Sequence, residues 1–313
     1  MARMKILGGI AVVLAAVVGG GLYALDLSSQ QSAAALSLTE PADRFVEVEG
    51  LSVRVREQGP ANAPVLLMLH GFTFSLESFD ALADQLSDRY RIVSYDLRGH
   101  GLTGADPEKR YAPDQRAEHI GSVMKALDID RATIVGNSLG GLAAWRFAAN
   151  NPGAVDSLVL ISPGAYPING VTDEPADVPP ALEAYFRFLP DVGIDASIAR
   201  IFADPDAVSD ERRASIKAMM RAPGNSGAFI DSVRVFTLPD PEPDLARIEA
   251  PTLIIWGADD VIIAPTDGVR MKSVMRDAEL VTLDGVGHVA HEETPERVAE
   301  EIHGFLIRPR DES

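Results

Sequence analysis

Residues 132–145 read Ala-Thr-Ile-Val-Gly-Asn-Ser-Leu-Gly-Gly-Leu-Ala-Ala-Trp, which is the most informative stretch of the chain. A short β-branched run ends at Gly136, and a helix-forming run begins just after Gly140. The residues between them match the pattern G-x-S-x-G, in which a strand turns directly into a helix. The turn holds Ser138 in a strained conformation, and the flanking residues must be small. The pattern predicts a serine hydroxyl at a helix N-terminus, where backbone N–H groups face a developing negative charge.

Two later segments supply the groups that such a serine needs. A serine hydroxyl is a weak nucleophile at neutral pH, so it requires a base, and the base requires a carboxylate that orients it. An apolar run at 252–256 leads to Asp259 and Asp260, and a second run at 280–283 is followed by His288. The sequence predicts His288 as the base and one of the two aspartates as the acid. The alternative is an ordinary glycine-rich turn with two unrelated loops.

The order of the predicted elements favours an α/β fold. A short β-hairpin is predicted at 45–48 and 52–57, and further strands are predicted at 64–69, 91–95, 132–135, 157–161, 252–256 and 280–283. Helical patterns at 76–86 and 113–127 alternate with the central runs. Such alternation implies a mostly parallel sheet covered on both faces. In open sheets of this kind the catalytic loops lie at the carboxyl ends of the strands.

Between the strands at 157–161 and 252–256 the alternation stops. This stretch is rich in proline and acidic residues, with helical patterns at 180–189 and 210–221. It is too long for a simple loop, so we interpret 164–245 as a cap over the pocket. Its large side chains either line the pocket or pack the cap onto the core, namely Tyr185, Phe186, Phe188, Phe202, Met219, Met220, Phe229 and Phe236.

Five segments, in this order along the chain, resemble the α/β-hydrolase superfamily over residues 44–308. They are His70-Gly-Phe72, Asp96-Leu-Arg-Gly-His-Gly101, Gly136-Asn-Ser-Leu-Gly-Gly141, Trp256-Gly-Ala-Asp-Asp260 and Gly287-His288. The resemblance implies the α/β-hydrolase fold, with a mostly parallel eight-stranded sheet, helices on both faces and a helical cap insertion. It also implies that nucleophile, acid and base follow in the order Ser, Asp or Glu, His.

The resemblance assigns roles to single residues. Ser138 is the nucleophile, His288 the base, and Asp260 the acid favoured over Asp259, because related sequences carry a proline five positions after it, as here. The oxyanion hole is formed by the amides of Leu139 and Phe72. The remaining histidines are not expected to act as the base: His70 and His100 each precede a glycine, and His70 braces the oxyanion loop. His119 and His303 lie on predicted helices, and His291 begins the last helix. Asp96 is expected to form a turn with Arg98 rather than to act in catalysis.

Members of the superfamily with different activities carry different residue types at the nucleophile position. An aspartate at the position of Ser138 is typical of haloalkane dehalogenases and epoxide hydrolases. The chain is more similar to serine esterases and lipases, in particular to a membrane-tethered monoacylglycerol-lipase-like group. The segment around Ser138 is also similar to carbon–carbon hydrolases of aromatic ring cleavage. Those enzymes carry a glycine run after the oxyanion histidine and a tryptophan after the catalytic histidine, where this chain has Phe72-Thr-Phe74 and Val289.

The amino-acid composition limits the classes of molecule that the protein is expected to bind. The formal net charge of −18 and the lack of a basic patch argue against nucleic acid, and a neutral ester or lipid suits the chain better than a strongly anionic surface. The chain has no cysteine, which excludes disulfides and thiol catalysis. The sequence shows no metal-ligand spacing and no phosphate-binding loop, so we expect neither a metal nor another cofactor.

The N-terminus predicts a membrane connection. Arg3 and Lys5 precede an uncharged run at 6–25, as long as the roughly 20 residues that span a bilayer. We interpret 1–25 as a single-pass anchor, 26–43 as a linker and 44–308 as the hydrolase domain. The alternatives are a cleaved signal peptide, with a secreted product, and a buried helix. In the first two cases the positive-inside rule places the domain outside the cytoplasm, in the periplasm or the exterior.

Overall fold

A single sheet organises the part of the chain that the structure describes. The structure is a computed structural model that describes residue 37 and residues 39–168 and 170–309. The strands are β1 (Asp43–Val48), β2 (Leu51–Gln58), β3 (Val65–Leu69), β4 (Arg91–Tyr95), β5 (Ala132–Asn137), β6 (Val155–Ile161), β7 (Thr252–Gly257) and β8 (Ala278–Leu283). Their order across the sheet is β1-β2-β4-β3-β5-β6-β7-β8. Strand β2 runs antiparallel to both neighbours, and the other pairs are parallel. The mostly parallel eight-stranded sheet is therefore confirmed.

Helices connect the strands and build the region between β6 and β7, which we call the cap. They are α1 (Asp80–Leu86), α2 (Pro113–Ala126), α3 (Leu139–Asn150), α4 (Pro180–Phe188), α5 (Asp191–Ile201), α6 (Asp210–Met220), α7 (Asn225–Val235), α8 (Glu242–Leu245), α9 (Thr266–Val274), α10 (Ala290–Glu293) and α11 (Pro295–Leu306). Single 3₁₀ turns occur at Leu76–Phe79, Pro152–Ala154 and Pro205–Ala207.

Strand β3 shows why the sheet is covered on both faces. Its side chains alternate between the two faces, as the pleat requires. Leu67 and Leu69 pack into an apolar cluster with residues of α2, α3 and α9. Leu66 and Met68 pack into a second cluster with residues of α1 and α11. A continuous apolar run is what a parallel strand buried on both faces needs.

The cap has an apolar core of its own. Ile194 and Ile198 of α5, Ile216 of α6 and Phe229 of α7 are buried together in this third cluster. Neither α5 nor α7 was predicted from the sequence, whereas the patterns at 180–189 and 210–221 correspond to α4 and α6. The glycine and serine content of α5 and α7 weakens their helical pattern, and tertiary packing stabilises such helices. The helix predicted at 76–86 is divided into a 3₁₀ turn and α1.

The predicted membrane anchor at 1–25 and most of the predicted linker lie outside the described residues. Among the residues that are described, no helix is both long enough and apolar enough to cross a bilayer.

Candidate active site

The turn at Ser138 has the strained geometry predicted from the sequence. Strand β5 ends at Asn137, and α3 begins at Leu139, so a single residue makes the turn. Ser138 has φ 53° and ψ −113°, a conformation that residues other than glycine rarely adopt. A Cβ atom on Gly136 would lie 2.6 Å from the carbonyl oxygen of Gly140. A Cβ atom on Gly140 would collide with the carbonyl of Leu69 in β3, so both glycines are required by close backbone contacts.

We expect Ser138→Gly to be more stable than Ser138→Ala by about 1 kcal/mol. Neither variant has the hydroxyl, but only glycine adopts a positive φ without strain. Relief of this strain stabilises the glycine variant by about 1–3 kcal/mol. That gain exceeds the free-energy cost of glycine's greater conformational entropy in the unfolded chain. Urea denaturation of the two variants measures the difference in free energy of unfolding. Equal stability, or a more stable alanine variant, would show that the turn stores no strain.

His288 and Asp260 form a buried pair. The Nδ1 of His288 lies 2.8 Å from Oδ2 of Asp260, and both side chains are almost fully buried. The other carboxylate oxygen of Asp260 accepts hydrogen bonds from the amides of Ile262 and Ile263, at 2.8 and 3.0 Å. The carboxylate therefore fixes the orientation of the imidazole and leaves Nε2 as the ring nitrogen that can take a proton.

The ionisation of Asp260 is favoured by its partners. Burial opposes the charged form of the carboxyl group. The hydrogen bond to His288, the electrostatic attraction of His288 and the hydrogen bonds from the two amides outweigh that penalty, so the pKa of Asp260 lies below its ordinary 3.8. Asp259 is exposed, and its amide donates to the carbonyl oxygen of Val286 at 2.9 Å. Of the two adjacent aspartates, the structure brings Asp260 to the histidine.

Two amides of the predicted oxyanion hole lie beside the serine. Leu139 is the first residue of α3, so its N–H has no acceptor inside the helix. Within the described residues no acceptor is found for the N–H of Phe72 either. Gly71 allows the Phe72 loop to approach, because a Cβ there would lie 2.8 Å from Oδ1 of Asn137 and 3.3 Å from Cβ of Ser138. Two such donors can stabilise a negative oxygen that forms at Ser138.

These groups share one cavity. Ser138, His288 and Phe72 line a cavity of about 290 Å³, together with Gly71, Thr73, Phe74, Asn137, Leu182, Tyr185, Phe186, Ser197, Arg200, Ile201, Ile262 and Val289. Helices α4 and α5 of the cap form one wall of it. The lining is mostly apolar with a few polar groups, as in many small-molecule sites.

Some of the large cap side chains considered in the sequence analysis line the cavity of Ser138, and others pack within apolar clusters. Tyr185 and Phe186 line the cavity. Phe188 is 74% exposed, and Phe202 lines a separate cavity of about 930 Å³. The others lie in apolar clusters and do not line the cavity, so for them the packing interpretation holds: Met219, Met220, Phe229 and Phe236.

Two of the other histidines, His70 and His291, have structural roles. His70 is fully buried: its Nδ1–H donates to the carbonyl of Gly71 at 2.8 Å, and its Nε2 accepts from the amide of Leu97 at 2.9 Å. Burial lowers the pKa of His70 to about 4, so the ring is neutral near pH 7 and braces the oxyanion loop as predicted. His291 is also buried and stacks on Phe79, and burial lowers its pKa to about 3.

The prediction that Asp96 pairs with Arg98 is wrong. The carboxylate of Asp96 accepts from the amides of Leu76 and Leu102 and lies 3.5 Å from Nη1 of the buried Arg54. Arg98 instead pairs with Glu49. Asp96 and Arg98 are two residues apart on one loop, but Asp96 contacts Arg54 of β2, the strand that pairs with β4, whereas Arg98 contacts Glu49. Asp96 does not line the cavity, so the structure gives it a structural position.

Two residues of the site escaped the sequence analysis. Asn137 is buried, and its Nδ2 donates to the carbonyls of Ile161 and His288 at 3.0 and 3.1 Å, which ties the serine turn to the histidine loop. Glu293 accepts from the amide of Gly287 in the histidine loop at 3.0 Å and from that of Ala203 in the cap at 2.8 Å. The sequence signals were slight: an amide before the serine, and an acidic residue five positions after His288.

We expect Glu293→Ala to lower both stability and turnover. The change leaves two amides without their acceptor and removes one contact between the cap and the loop that carries His288, at a cost of about 2 kcal/mol in free energy of unfolding. We expect kcat to fall by about tenfold, because the base is less well positioned. Urea denaturation and initial rates measure both effects. Glu300→Ala, at an exposed site on α11, is the matched control, and equal losses in the two variants would contradict the role of Glu293.

Comparison with known proteins shows the family to which the chain belongs. Residues 66–301 match the model of the alpha/beta hydrolase family. The chain belongs to this family. This α/β hydrolase is 27% identical over 270 residues to 2-(acetamidomethylene)succinate hydrolase of Mesorhizobium japonicum, covering 84% of this chain and 94% of that protein. It is 27% identical over 284 residues to 2-hydroxy-6-oxo-6-(2'-aminophenyl)hexa-2,4-dienoic acid hydrolase of Metapseudomonas resinovorans, covering 86% and 92%.

Among solved structures, this α/β hydrolase resembles a membrane phospholipase A described as a bacterial virulence factor. The TM-score is 0.72 and the sequence identity 25%, and the match covers 98% of each chain. The relatives thus share a hydrolase fold while acting on different substrates. Within the described residues, no group of three or more His, Asp or Glu side chains is arranged to hold a metal ion.

Proposed function

We propose that this α/β hydrolase is a serine hydrolase that cleaves carboxylic esters through an acyl-enzyme intermediate. The observation that carries the proposal is the joint placement of three features: Ser138 at a strained turn, the buried pair of His288 and Asp260, and two amides without acceptors. Ser138, His288 and Phe72 line one cavity, Asp260 is hydrogen-bonded to His288, and Leu139 directly follows Ser138 in the chain. They are the parts that acyl transfer needs: nucleophile, oriented base and oxyanion donors.

The reaction follows from the positions of these groups. Ser138 Oγ attacks the ester carbonyl, and Nε2 of His288 takes the hydroxyl proton. The tetrahedral oxyanion is stabilised by the amides of Phe72 and Leu139. His288 then returns the proton to the departing alcohol, and the acyl group stays on the serine. Water enters, gives a proton to His288 and attacks the acyl carbon. The bond between that carbon and Ser138 Oγ then breaks, His288 returns the proton to Oγ, and the carboxylic acid leaves. Asp260 orients the imidazole and stabilises its charged form throughout.

Acylglycerols or other lipid esters are the substrate class that we favour. The cavity wall contains apolar side chains from both the core and the cap, among them Phe74, Leu182 and Ile262. The apolar run at 6–25 supports a single-pass anchor that holds the domain near lipid and outside the cytoplasm, in the periplasm or exterior. The likeness to a membrane phospholipase A, over 98% of both chains, supports the same proposal.

Carbon–carbon hydrolysis is the second candidate, with the same three catalytic residues. The identity of 27% to a hydrolase of a substituted hexadienoic acid favours it. The absence of a tryptophan after His288 and of a glycine run after His70 favours the ester reaction instead.

Hydrolysis of p-nitrophenyl esters from C2 to C16 tests the proposal, with the full-length protein in detergent micelles. A vinylogous diketone serves as the competing substrate. We expect ester cleavage to be the faster reaction, with an optimum at medium or long acyl chains. Faster cleavage of the diketone than of any ester would replace the ester proposal by the carbon–carbon reaction. An optimum at C2 would exclude a lipid preference.

A further inference from the structure

The cap contributes one cationic side chain to the cavity wall. Ser197, Arg200 and Ile201 of α5 all line the cavity that contains Ser138. Residues three and four apart share one face of a helix, so these three side chains project in the same direction. The carbonyl of Ile201 also accepts from the amide of His288 at 2.8 Å, which fixes the end of α5 to the histidine loop. Arg200 therefore belongs to a helix that is hydrogen-bonded to the loop carrying His288.

The hydroxyl groups beside Arg200 have no proton to offer a ligand. The Ser197 hydroxyl donates to the carbonyl of Gly193 at 3.0 Å. The Tyr185 hydroxyl lies 3.1 Å from Ser197 Oγ, and because the serine proton is already used, Tyr185 donates to it. The side chain of Arg200 is exposed and has no hydrogen bond or ion pair in the described part of the chain. Its guanidinium is the unused donor at this end of the cavity.

An unpaired arginine is unusual in this cap. The other arginines between residues 180 and 235 each lie within ion-pair distance of a carboxylate, in the pairs Arg187–Glu183, Arg212–Glu292, Arg213–Asp195, Arg221–Asp191 and Arg234–Asp231. The whole chain carries 46 acidic residues against 28 Lys and Arg. Among the described residues, no Asp or Glu lines the cavity of Ser138, so none of the lining side chains neutralises Arg200.

We propose that Arg200 binds an oxyanion of the substrate, a carboxylate or a phosphate, at a distance from the ester that Ser138 attacks. The proposal rests on the proposed ester hydrolysis and narrows its substrate class from lipid esters in general to esters with a hydrocarbon part and one anionic group, which neutral acylglycerols lack. A guanidinium is suited to such groups because its N–H donors match the geometry of carboxylate and phosphate oxygens. The apolar wall formed by Phe74, Leu182 and Ile262 takes the hydrocarbon part.

A matched pair of esters tests the proposal. Mono-p-nitrophenyl glutarate carries a terminal carboxylate, and p-nitrophenyl pentanoate has the same chain length without it. We expect the ratio of kcat/KM for the anionic ester to that for the neutral ester to fall by about tenfold to a hundredfold in Arg200→Gln. Arg200→Lys should retain part of the ratio. Arg187→Gln removes an exposed cap arginine that does not line the cavity, and should keep the ratio of the unaltered protein.

A binding measurement separates this proposal from the ester activity and distinguishes the two anions. Octanoate, octyl phosphate and octanol are titrated calorimetrically into the Ser138→Ala protein and into the double variant that also carries Arg200→Gln. We expect at least one of the two anions to bind more tightly than octanol, and Arg200→Gln to remove the difference. The preferred anion identifies the carboxylate or the phosphate. An unchanged ester ratio in Arg200→Gln, or equal binding of all three compounds, overturns the anion site even where ester cleavage is established.

Discussion

Ser138→Ala is expected to lower kcat for ester hydrolysis by about 10⁴-fold or more, while the protein stays folded. The change removes the nucleophilic oxygen and keeps the Cβ atom, so the close contacts around the turn are unaltered. The amides of Phe72 and Leu139 stay in place, and substrate binding should survive. Residual hydrolysis above the rate in water would come from those donors and from binding.

Initial rates with p-nitrophenyl esters measure this effect, with circular dichroism and urea denaturation as the test of folding. Ser197→Ala is the matched control, because it removes another serine hydroxyl from the same cavity wall. We expect that variant to keep most of its activity, since Ser197 donates to the Gly193 carbonyl within the cap. Esterase activity that survived in Ser138→Ala would assign the nucleophile to another residue.

The sheet and its order of motifs could be predicted because each signal is local. A strand buried on both faces has to be apolar throughout, as β3 is, and the turn at Ser138 requires glycine on both sides. Asp260 was chosen over Asp259 by the position of Pro265 in related sequences. The structure agrees with this choice, because the carboxylate of Asp260 contacts His288 and also accepts hydrogen bonds from the amides of Ile262 and Ile263.

The remaining features depend on contacts between distant segments. Glu293 reaches Ala203, which lies 90 positions earlier in the chain, and Asn137 reaches the carbonyl of His288, 151 positions away. No local pattern records such pairs. The partner of Asp96 was missed for the same reason, because Arg54 comes from β2. Helices α5 and α7 were missed because they are stabilised by burial within the cap rather than by a regular sequence pattern.

Asp260→Asn is expected to lower kcat by about 10³- to 10⁴-fold. The asparagine amide can donate to Nδ1 of His288, which would move the ring proton to Nε2 and remove the lone pair that accepts the serine proton. Its oxygen can still accept from Ile262 and Ile263, so we expect the loop to keep its shape. Asp259→Asn is the control: it makes the same chemical change at the adjacent, exposed position and should leave kcat within about twofold.

The same pair of variants tests the ionisation of Asp260. The pKa of this carboxyl in the folded protein lies below 3.8, so its contribution to stability is complete above the unfolded value and is lost as the pH falls through the folded value. Between pH 7 and about pH 3, the unaltered protein and Asp259→Asn should therefore lose more free energy of unfolding than Asp260→Asn, which has no carboxyl to protonate there. Urea denaturation at several pH values measures the difference. Parallel curves for all three proteins would mean that His288 and its neighbours do not stabilise the carboxylate, and the orienting role of Asp260 would then lack its electrostatic basis.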